Sequence, residues 1–121
     1  MQKEHSAKFA EDVRALIVTA AQFDRVYWNN APEAKTFPYI VFDIRSVSGD
    51  KVITLDLWGE KGKEIELHDL ADTVEEALDN TVIYNYCHSS IIATQNNKQW
   101  IADEDERIIH LNMSFDATYQ A

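Results

Sequence analysis

Four consecutive acids, Asp103, Glu104, Asp105 and Glu106, precede His110 in the stretch DEDERIIHLNMSF. Carboxylates near an imidazole are donors of the kind a hydrolytic metal centre uses, where the ion acidifies water and polarises a substrate. Such a centre needs three or four donors converging on one point, with outer partners that hold them there. Here the acids fall where two strands must connect, and acidic residues are common turn formers. His110 alternates with Leu111, which puts it on the polar side of a strand beside Asn112 and Ser114. The spacing therefore predicts a turn and a half-buried strand, with no metal.

The remaining reactive side chains are equally scattered. His68 and Asp72 are four apart on a helical segment, a spacing that can chelate an ion, but no third ligand accompanies them. An i,i+4 surface pair is the simpler state. Cys87 and His88 are adjacent, so in a strand they point to opposite faces and cannot form a thiol–imidazole pair. The glycines of WGEKGKE precede a helix, but its lysine lies outside a phosphate-loop frame and the flanking acids repel phosphate. No Gly-rich dinucleotide fingerprint, nucleophile elbow or paired-cysteine motif occurs. The expectation is no catalytic, cofactor-binding or metal-binding residue, and hence no enzyme.

Composition narrows the class further. A chain of 121 residues with 45% hydrophobic content suits one compact domain, 1–121. Three glycines and two prolines are too few for a linker or a low-complexity tail. The start, MQKEHSAKFAEDV, is charged without an apolar stretch of the signal-peptide kind, and no apolar run approaches membrane-spanning length. Cys87 is the single cysteine, which fits a reducing cytoplasm. Eleven basic against 21 acidic residues give a net charge of −10, and such a surface repels phosphate backbones and anionic lipids.

The elements follow from periodicity. Phe9, Val13, Leu16, Ile17 and Ala20 have helical spacing, which predicts a helix over about 6–21 with Ser6 as N-cap. RVYW (25–28) reads as a short strand, and a polar loop then leads to Pro38, which presets extended backbone. From Phe37 the period becomes two. FPYIVFDIRS and KVITLDLWGE alternate on either side of VSGD, which predicts an antiparallel hairpin with Ile40, Phe42 and Ile44 on one face and Tyr39 and Val41 on the other. A second helix spans about 63–79, with Leu67, Leu70, Ala71, Val74 and Leu78 as its stripe and Asn80 as a left-handed cap. SIIATQNNKQWIA predicts two strands around a tight turn at Asn96 and Asn97. The last strand, about 107–119, turns Ile109, Leu111, Met113 and Phe115 inward. The fold class is α+β, a mainly antiparallel sheet with two helices packed on one face.

Taken in chain order, these landmarks resemble the tail terminator (tail completion, or tail-to-head joining) proteins of long-tailed bacteriophages. The likeness runs through an N-terminal helix, VYWNNAPEAKTFPYIVFDI, ITLDLWGE, the acidic helix LHDLADTVEEALD and the closing RIIHLNMSFDATY. The resemblance implies a homo-oligomer, a hexameric ring at the end of the tail tube. It stops tube polymerisation and meets a head completion or connector protein, with DNA passing through the lumen unbound. It implies no cofactor, no membrane partner, and a virion location at the head–tail junction after assembly in the host cytoplasm. The exposed positions expected to make contacts are Trp58, which shares the polar strand face with Asp56, and the loop residues Asp50, Lys51, Asn96, Asn97, Asp103 and Asp105. Trp100 and Tyr119 are further aromatic candidates. Alternative classes are a head–tail connector or head completion protein, an acidic DNA-mimic inhibitor and a small metal-dependent hydrolase.

Overall fold

The computed structural model of the chain describes residues 2–33, 35–84 and 88–120, and within these all side chains except those of 2–6 and 94–96. Helix α1 (Gln2–Ala21) is followed by strands β1 (Val26–Trp28), β2 (Tyr39–Val47) and β3 (Asp50–Glu60). Helix α2 (Glu64–Leu78) then leads to β4 (Val82–Tyr84), β5 (Ser89–Ile101) and β6 (Ile108–Gln120). The six strands form one sheet in the order β1-β2-β3-β6-β5-β4. Only β1 and β2 run parallel, so the sheet is mainly antiparallel and the class is α+β. None of the described helices is long and apolar enough to cross a membrane.

The core follows from alternation. Odd positions of β3 (Ile53, Leu55, Leu57) stand opposite odd positions of β6 (Phe115, Met113, Leu111), so six side chains interlock on one face. Phe9, Val13 and Ile17 of α1 and Leu67, Ala71, Val74 and Leu78 of α2 join the same buried cluster. Fully burying an apolar side chain of this size contributes ~1.5–3 kcal/mol relative to leaving it in water. A one-residue slip between β3 and β6 would turn every one of these groups outward. Register and core are thus one constraint.

Local chemistry sets the boundaries. Ser48 (φ 50°) and Gly49 (φ 90°) close the β2–β3 hairpin in two residues, the twist that right-handed strands require. Helix α2 opens with Glu64 and Glu66 at the positive end of its dipole, and Glu64 Oε1 accepts the Gly62 amide at 2.8 Å. Past its end, Asn80 adopts the left-handed backbone expected of it (φ 56°).

Two expectations need correction, and two features go beyond what the spacing predicts. Helix α1 starts at Gln2, so Ser6 lies inside the helix and is not its cap. Asn96 and Asn97 form no hairpin, because β5 runs unbroken from Ser89 to Ile101 and pairs with β6 on both sides of them. Ile92 and Trp100 are eight residues apart and face Ala117 and Leu111, which are six apart. Two surplus residues are absorbed as register shifts around Gln95, keeping both flanks in phase with the core. Tyr39 and Val41 are buried on the sheet's second face, since Phe37, Tyr27 and Trp58 lie against Tyr39. Finally, β4 is a strand that the hydropathy pattern leaves unassigned.

Candidate interaction surfaces

On the face turned away from the buried cluster, β2, β3 and β6 lay aromatic rings side by side. Tyr39, Trp58 and His110 are cross-strand neighbours, because Trp58 pairs with Tyr39 on one side and His110 on the other. The Trp58 ring stacks on His110 at 4.3 Å and on Tyr39 at 5.2 Å, both nearly parallel. Lys35 adds a cation 5.7 Å above Tyr39. His110 is therefore only 13% exposed, although it lies on the polar strand face, because the indole covers it.

Asp56 ties this row to the strand beside it. Its Oδ1 lies 2.7 Å from His110 Nε2 and accepts the Asn112 side-chain amide at 2.8 Å. An ionised carboxylate only accepts, so Nε2 carries the imidazole proton. One carboxylate and one imidazole fall short of a metal shell, and no group of three or more His, Cys, Asp or Glu is set to hold an ion among the described residues. The acids of the opening motif are placed elsewhere. Asp103 and Asp105 organise the β5–β6 loop, with Asp103 Oδ1 accepting the Asp105 amide and Asp105 accepting the Arg107 amide, both at 2.9 Å. Arg107 also grips both oxygens of Asp105, at 3.0 and 2.8 Å. Those bonds hold the Asp105 carboxyl down at about 2. Burial pushes the Tyr39 hydroxyl upward, and the charge of Asp103 adds to the effect.

The sequence-derived contact residues thus occupy distinct places. Asp50 is exposed at the β2–β3 hairpin end, but Lys51 beside it is nearly buried. Its Nζ donates to Ser46 Oγ at 2.9 Å and sits 4.5 Å over the Tyr119 ring. Trp58, Asp103 and Asp105 lie at the opposite end of the sheet. Asn97 lies in mid-strand on β5, exposed and opposite Ser114, and Asn96 belongs to the same strand. Strand β3 separates the two ends by ten residue steps, or ~33 Å at ~3.3 Å per step. Trp100 is 46% exposed and lies near His68 of α2. His68 and Asp72 do form the surface pair expected of them, at 3.4 Å. The Lys98 ammonium adds to Asp72 and Glu75, and its hydrogen bond holds the Asp72 carboxyl low.

One polar cluster escapes any reading by spacing. His88 is buried, with Nδ1 2.9 Å from Ser90 Oγ and Nε2 2.8 Å from Asp12 Oδ2. Acid, imidazole and hydroxyl in a row have the composition of a hydrolytic triad. Ser90 is fully buried, however, and a nucleophile must reach its substrate. The row instead fastens α1 to β5, with Phe9 and Tyr119 packed around the imidazole. Asp12 and His88 are 76 positions apart, and no sequence signal joins them. Cys87, considered above with His88, lies outside the described residues.

No protein-family model matches the chain, and no curated protein matches it. Among solved structures it is similar to a chain from the virion of a native gene transfer agent particle, with a TM-score of 0.63 and 14% identity over 90% of this chain and 84% of that one. A second solved chain aligns with a TM-score of 0.65 and 14% identity, over 92% of this chain and 96% of that one. At such identity the likeness is one of fold: nearly the whole of this chain shares its architecture with a protein found in a gene transfer agent virion.

Proposed function

We propose that this protein is a structural component of a phage-type virion. It acts as a tail terminator: a single-domain subunit of a ring, hexameric in the reading by resemblance, that caps the tail tube and ends its polymerisation. The ring then joins the tail to the head connector, and the protein is no enzyme. The observation that carries this is the shared fold with a chain of a gene transfer agent virion, along 90% of this chain. The order of sequence landmarks supports the terminator role within that setting. So do the two ends of the sheet, ~33 Å apart, which supply separate surfaces for tube and connector. On this reading both helices cover one sheet face, as their common buried cluster suggests. The net charge of −10 per copy lets DNA pass a lumen without sticking.

Deletion of the gene and inspection of the particles tests the proposal. Tails of uncontrolled length that fail to join heads are expected. Asp50→Lys and Asp105→Lys, at opposite ends of the sheet, should reduce joining while the purified domain keeps its fold. Tails of normal length that stay unjoined would move the protein to the head-completion class. Normal tails normally joined would end the proposal, leaving a DNA-mimic inhibitor as the class to test next by nuclease or repressor inhibition.

A further inference from the structure

We draw no further inference here: the strongest candidate, the nearly buried Lys51 ammonium over the ring of Tyr119, whose hydroxyl has no hydrogen-bond partner among the described residues, selects no ligand, because the groove that Lys51 lines at the hairpin end of the sheet is lined by Asp50 and Asp116 as well and nothing in the structure shows what covers it.

Discussion

Arg107 and Asp105 show how an exposed arginine can stiffen a loop by gripping a half-buried carboxylate. Arg107→Gln should return the Asp105 carboxyl from about 2 toward its ordinary 3.8, read by NMR titration of the side-chain carbon. A carboxylate held low in the folded chain stabilises it above its unfolded value and loses that contribution as pH falls through its folded one. The Asp105 contribution is therefore intact at neutral pH and disappears between about pH 4 and pH 2. Asp72, held low by Lys98, loses its contribution in the same direction. His88 works differently, because it is buried between Asp12 and Ser90. His88→Ala should cost about 2–4 kcal/mol, since it opens a cavity and strands a buried hydroxyl. Urea denaturation reads that loss, and an unchanged midpoint would show that α1 does not depend on this link.

At the level of strands and helices, register carries most of the stability. Phe115→Ala should cost about 3–5 kcal/mol in thermal or urea unfolding, as truncation of a fully buried phenylalanine does. The amides of Lys98–Ile101 that point toward β6 should exchange slowly, on the timescale of β6 itself, because β5 is continuous there. A free turn at Asn96–Asn97 would leave them fast. Long periodic elements were readable from the chain: α2, the β2–β3 hairpin and the inward face of β6 all follow from spacing of apolar residues. β5 was not, since Asn-Asn between two apolar runs carries the same local signal whether the chain reverses or bulges. Only the pairing with β6 decides between them. The aromatic row was half legible. Trp58 on the polar face beside Asp56 follows from alternation, but its stacking on His110 needs β3 to lie next to β6, and these strands are separated in sequence by α2, β4 and β5. The Asp12–His88–Ser90 row depends on the tertiary contact between Asp12 and His88.

For the whole molecule, charge and shape act together. With −10 on 121 residues the folded chain repels itself, so raising salt from about 0.01 to about 0.15 M should lift the melting temperature by about 2–5 °C. A neutral-surface chain would shift by less, and a fall on adding salt would mean that local ion pairs such as Lys98 with Asp72 and Glu75 outweigh the long-range repulsion. The β3–β6 ladder adds a mechanical property. The hairpin end at Gly49 leads into β3, and the loop at Asp105 leads into β6 from the opposite end of the sheet. Traction applied between these two ends would pull the two strands along their lengths in opposite directions. The ladder bonds lie across that direction. They would bear the load side by side, in shear, over the whole span from Lys51 to Glu60, and would not peel open one at a time. A protein held at those two ends behaves as a tie rod.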